Sequence, residues 1–211
     1  MSQDNLNNIV KISGEINNEV IFSHTVYREN FFEFKLKTKR LSDNFDILPI
    51  IVSEKFLVNN LYTQGAYIEV IGSLRSYNKF NKETNTTNLI LNIFAKEINF
   101  KIDESYSSKK DANYIELIGF LCKTPIFRVT PFGREIADLL IAVNRAYNKS
   151  DYIPCIMWGK NAKISCDFKI GDKIKVIGRI QSRSYQKKIS NKETIEKMAY
   201  EVSVYEIVKF L

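Results

Sequence analysis

The sequence is poor in the residues from which catalytic and covalent frameworks are built: 211 residues include one histidine, three cysteines, four prolines and one tryptophan. Cys122, Cys155 and Cys166 are odd in number, lack C-x-x-C spacing and lie far from His24, which argues against both a disulfide framework and a zinc site. Neither a Ser-His-Asp nor a Cys-His arrangement can be assembled around them. The phosphate-cradling pattern G-x-x-x-x-G-K-[ST], the dinucleotide pattern G-x-G-x-x-G and the metalloprotease pattern H-E-x-x-H are all missing. No apolar run approaches the roughly 18 residues of a membrane helix. The opening Met1-Ser2-Gln3-Asp4 has neither the basic stretch nor the apolar core of an export signal. The expectation is a cytoplasmic, non-enzymatic protein without cofactor, metal or membrane contact.

What the chain does have is an internal repeat at an offset of 105 residues. Asn8 to Ile16 lies over Asn113 to Leu121, Phe34 to Arg40 over Leu139 to Arg145, and Asp46 to Ile50 over Asp151 to Cys155. A fourth block, Gly65 to Gly72, matches Gly171 to Gly178 after one inserted residue. Apolar residues alternate in Tyr67-Ile68-Glu69-Val70 and in Lys173-Ile174-Lys175-Val176, the two-residue period of half-buried strands. Pro49 and Pro154 recur in the third strand of each copy, which is expected to lie at an edge or a bulge there. One helical segment per copy, Lys55 to Leu61 and Asn161 to Phe168, precedes the fourth strand.

Three strands, a short helix and two more strands in about 100 residues match the five-stranded Greek-key barrel of the OB-fold. The predicted architecture is all-β, with two tandem OB-folds at 1–102 and 112–211 joined by a polar linker at 103–111. Residues 1–110 hold 14 Lys and Arg against 13 Asp and Glu, and the remainder 17 against 11, so the net charge of +7 belongs mostly to the second copy. A basic barrel points towards a polyanion once aromatic residues are placed beside the charge.

The second copy resembles the bacterial single-stranded DNA-binding proteins along its whole length. The resemblance rests on Asn113 to Leu121, the turn Pro125 to Gly133, the strand Leu140 to Arg145, the run Asp151 to Ala162 into a Trp-Gly-Lys helix start, and Gly171 to Tyr185. It implies sequence-independent binding of single-stranded DNA in replication, recombination or repair. Bases stack on aromatic rings while phosphates follow a basic groove, with about 1–3 kcal/mol for each stacked base. By position, the stacking rings fall on Tyr147, Tyr152, Trp158 and Tyr185, and the phosphate partners on Arg128, Arg145, Lys160, Arg179, Arg183, Lys187 and Lys188. In the first copy the equivalents of Tyr147, Tyr152 and Trp158 are Ser42, Ile47 and Ser53. Only Tyr77, with Phe80 nearby, and Arg40 stand in, so that copy is expected to serve assembly and an accessory groove.

The resemblance also implies assembly into four barrels, reached here by a homodimer joined through the edges Asn8 to Ile16 and Asn113 to Leu121. The chain ends at Lys209-Phe210-Leu211 without the family's acidic tail, from which a specialised role is expected. A second reading is an OB-fold adaptor of a primosome or replication-restart complex that binds mainly proteins. A third is RNA binding, since stacking alone does not separate the two nucleic acids.

Overall fold

Each copy of the repeat closes into a barrel of five strands and carries a sixth on its rim. The computed structural model describes residues 7–40, 42, 44–57, 62–82, 85–100, 111–188 and 194–210, the side chains of 187 and 188 excepted. In the first copy β1 (Asn8–Ile16), β3 (Glu29–Lys39), β4 (Phe45–Ser53), β6 (Thr86–Phe100) and β5 (Tyr67–Asn81) follow one another around the barrel, and β5 returns to β1. In the second, β7 (Asn113–Leu121), β9 (Glu135–Arg145), β10 (Lys149–Trp158), β12 (Thr194–Lys209) and β11 (Lys173–Lys188) repeat that order. The pairs β4–β6 and β10–β12 are parallel and the others antiparallel, so both copies are OB-folds. Most of the expected linker, 103–110, lies outside the described residues.

The alternation read from the sequence fills the interiors. Leu36, Leu48, Ile50, Ile68 and Val70 in one barrel, and Ile141, Ile153, Met157, Ile174 and Val176 in the other, are fully buried. The two prolines sit where the third strand is paired on one side only. Pro49 faces Lys35 and Pro154 faces Leu140 across antiparallel ladders, and parallel pairing begins one residue later, at Ile50 and Cys155. The missing N–H therefore removes no ladder bond.

Two features depart from expectation. Short strands β2 (Ile21–Val26) and β8 (Ile126–Val129) pair along β3 and β9 as hairpins. Their side chains are almost all exposed, so no burial pattern marked them as strands. The helices are also unequal. The second barrel has α1 (Gly159–Ile164) continued by a 3-10 turn at Ser165–Asp167. Among the described residues the first has a 3-10 turn at Glu54–Phe56, which the Ser53 hydroxyl caps at the Lys55 N–H, and the Leu57 N–H donates to the Glu54 carbonyl. Residues 58–61 of the expected segment lie outside the described residues.

Glycine is required where the barrels close. A Cβ on Gly14 would lie 2.2 Å from the Lys37 carbonyl oxygen, and one on Gly119 would lie 2.4 Å from that of Ala142. Both obstacles are backbone of the strand that the first strand must meet to seal the ring. Gly119→Ala is accordingly expected to lower stability by about 2–3 kcal/mol, read from the urea midpoint; an unchanged midpoint would show that the seam can open without loss.

The two barrels are joined through their first strands, within one chain. β1 and β7 pair antiparallel from Asn8 with Leu117 to Ile12 with Asn113. Val10 and Ile115, equivalent in the repeat, face one another, so a local two-fold passes between them and β6-β5-β1-β7-β11-β12 runs as one sheet. The edges expected to join two copies of the chain are thus consumed by each other. Proximity along one chain makes this closure an intramolecular step, and no unpaired first-strand edge remains.

A reciprocal exchange of hydrogen bonds fixes the barrels further. The fully buried Asp46 of β4 takes the Ser182 N–H at 2.6 Å and its hydroxyl at 3.0 Å, and both nitrogens of a fork-like Arg40 pair at 2.6 and 2.9 Å. Its counterpart Asp151 on β10 takes the Ser76 N–H at 2.7 Å and Arg75 at 3.0 Å, with Arg145 at 3.5 Å. The Ser182 and Ser76 hydroxyls then receive the Ile47 and Tyr152 N–H groups. Each barrel's third strand in this way holds the other's fourth.

Candidate nucleic-acid interface

The period of β10 places Tyr152 and Trp158 on its outer face, six residues or about 20 Å apart, while Ile153, Cys155 and Met157 point into the core. Both rings are exposed, at 46% and 38%. Pro154 lies between them on that face and borders a shallow groove with Tyr185, Tyr200 and Leu89. Tyr185 therefore opens onto the same surface as the β10 aromatics. Tyr147 stands at the β9–β10 turn, almost wholly exposed. Its φ is 61° and that of Asn148 is 55°, a tight left-handed reversal that projects the ring beyond the sheet. Of the four rings expected to stack, three share one face and the fourth caps the end of the strand that carries two of them.

The expected cations divide into two groups. Lys160 is exposed at the start of α1, and Arg183 is largely exposed on β11, with Glu201 at 3.9 Å. Arg179 lines a cleft of about 680 Å³ that also holds Trp158, Asn161 and Tyr205 from the second barrel and Lys39 and Arg40 from the first. Lys187 is in β11 opposite Ile195 and, like Lys188, has a side chain outside the described residues. The remaining three meet protein carboxylates. Arg128 forms a two-pronged pair with Asp138 along the β8–β9 hairpin, Arg145 approaches Asp151, and Arg40 is held by Asp46 and the Ser182 carbonyl. The hydrogen-bonded Asp46 and Asp138 carboxylates raise the Arg40 and Arg128 guanidinium pKa values further above their usual range.

In the first barrel Tyr77 and Phe80 are exposed on the β5–β6 hairpin, about half of each ring facing solvent. Burial raises the Tyr77 phenol, with Glu33 adding to the shift. Several exposed rings carried no stacking signal in the sequence: Phe45 at the start of β4, Phe22 on the β2–β3 hairpin, Phe132 beyond β8, and Tyr205 in the cleft beside Trp158. Tyr205 is raised by burial and by Glu206. The alternation of β12 could have marked Tyr205 as outward, since Val202 and Val204 are core residues. Phe45 had no such signal, because its counterpart in the repeat is Ser150. His24 is a strand residue stacked on Phe31 with centroids 5.1 Å apart.

Comparison with known proteins places this surface in context. Residues 112–208 match the model of the single-strand binding protein family. Over 106 residues the chain is 34% identical to a single-stranded DNA-binding protein of Clostridium tetani, an alignment spanning 47% of this chain and 70% of that one. Over 81 residues it is 38% identical to single-stranded DNA-binding protein 2 of Listeria innocua, spanning 35% of this chain and 51% of that one, about half the relative's length. The wild-type single-stranded DNA binding protein of Thermus aquaticus shares the whole two-barrel fold: TM-score 0.76 over 97% of this chain and 93% of that one, at 17% identity.

Proposed function

The chain belongs to the single-strand binding protein family, and from that premise we propose that it is a non-enzymatic binder of single-stranded DNA that holds bases by stacking and reads no sequence. The observation that carries this reading is the common face of Tyr152, Trp158 and Tyr185 on the more basic barrel. Every base offers a flat π face, so rings spaced along a strand accept any sequence. Tyr147 extends the row at one end. Lys160, Arg179, Arg183 and Lys187 meet phosphates, whereas Arg40, Arg128 and Arg145 chiefly hold protein carboxylates. Replication, recombination and repair are the processes in which such a strand is exposed. With the β1 and β7 edges used internally, a homodimer of four barrels forms through another surface.

Trp158 is the only tryptophan and a proposed platform, so its fluorescence reports the interaction directly. Oligo(dT) is expected to quench it strongly at low salt and matched duplex to leave it unchanged. With about four phosphates neutralised, log affinity falls against log salt with a slope of about −2.8. A protein that shows neither quenching nor a shifted band on a gel refutes the proposal and leaves the protein-binding adaptor as the better reading. Equal response to oligo(U) extends the ligand to RNA.

A further inference from the structure

We propose that the first barrel carries its own base-stacking subsite, built on Phe45, Lys37 and Lys39, and that the strand reaches it from Trp158 through the cleft between the barrels. The inference deepens the proposed function and rests on it. Phe45 opens β4 with its ring 45% exposed, and the Lys37 ammonium lies 4.3 Å from the ring centroid. Lys39 faces Phe45 directly across the β3–β4 ladder, and Lys35, Lys37 and Lys39 alternate along the outer side of β3. An aromatic ring beside a cationic row is the combination that seats a base and its phosphate. Among the described residues, the ion pair that Lys37 makes is a long contact of 3.9 Å to Glu15.

None of this is inherited from the repeat. The counterparts of Lys37, Lys39 and Phe45 in the second barrel are Ala142, Asn144 and Ser150. The first barrel lacks aromatic residues at the three positions where the second has Tyr147, Tyr152 and Trp158, and it has one two residues before the Tyr152 counterpart.

The route between the subsites is the cleft of about 680 Å³, which Trp158, Tyr205 and Arg179 line from one side and Lys39 from the other. Its two acids are already engaged. Asp46 is paired with Arg40, and Asp111 accepts the Lys39 N–H at 2.6 Å and the Tyr67 hydroxyl. A phosphate crossing the cleft therefore meets the cations Arg179 and Lys39, with both carboxylates occupied by protein donors.

The test compares the full chain with Phe45→Ala and Lys39→Ala on two oligo(dT) lengths: about 8 nucleotides, within the span of one OB-fold, and about 30, enough for both. Phe45 is exposed, so its truncation removes no core contact; matching circular dichroism spectra confirm folding. On the long strand Phe45→Ala is expected to bind about tenfold more weakly, and Lys39→Ala to lower the magnitude of the salt slope by about 0.7. On the short strand both are expected to match wild type, with Trp158 quenching retained. Wild-type affinity of Phe45→Ala for the long strand would overturn the inference, as would equal weakening on both lengths, which marks the ring as support for the barrel. Failure of the unmodified protein to bind either strand overturns the underlying function instead, so the two failures are distinguishable.

Discussion

Alanine at Asp46 is expected to lower the stability of the chain by about 3–5 kcal/mol, and alanine at Asp151 by a similar amount. Each carboxylate is fully buried and carries arginine together with a backbone N–H from the other barrel. Removing Asp46 leaves the Arg40 guanidinium with the Ser182 carbonyl as its remaining partner, and leaves the Ser182 N–H without its acceptor. A part-buried charge and an unpaired donor are each costly, and here they arise together. Urea titration should show the midpoint falling, with a slope near that of wild type if the barrels still unfold as one unit. Asp46→Asn separates charge from shape, because the amide fits the space but presents N–H groups towards a guanidinium that can only donate. It is expected to recover little of the loss. A midpoint within experimental error of wild type for Asp46→Ala would show that β1–β7 pairing alone sets the arrangement of the barrels.

The same residues show what the sequence discloses and what it hides. Asp46 and Asp151 align in the repeat, as do Asn8 and Asn113, and each of those asparagines turns out to brace the fourth strand of its own barrel with two hydrogen bonds of 2.8 Å, to Leu74 and Ile180. A polar residue that recurs at a fixed offset between apolar positions is legible as structural, and the barrel order follows from such blocks. The partner is not legible. The bond from Ser182 to Asp46 spans 136 residues, and no period links its two ends. Arg145 lies within two residues of a stacking ring, and only coordinates reveal that Asp151 is beside it. The pairing of β1 with β7 was hidden for a different reason: the alternation of an edge strand is the same whether its partner belongs to the same chain or to another copy. Phe45 was overlooked because the repeat directs attention to positions that match, and its value lies in a position that does not.

Replacing Tyr152 and Trp158 together by alanine is expected to weaken binding of oligo(dT) by roughly 30-fold to 10⁴-fold, the sum of about 1–3 kcal/mol for each ring. The two rings are about 20 Å apart along β10, beyond the range at which neighbouring substitutions couple, so the single effects should add. Both are exposed on the outer face and the strand's core residues are untouched, so the urea midpoint should change little. Anisotropy of a labelled oligonucleotide replaces intrinsic fluorescence as the readout once the tryptophan is gone. The salt dependence separates the mechanisms: losing stacked bases shifts the whole line of log affinity against log salt without changing its slope, whereas losing phosphate contacts flattens it. Tyr152→Phe should bind nearly as wild type, because it keeps the π face and removes only the hydroxyl. Binding by the double variant within twofold of wild type would mean that the outer face of β10 is not where the bases lie. Preserved affinity with an unchanged salt slope would place the strand on the cationic residues alone.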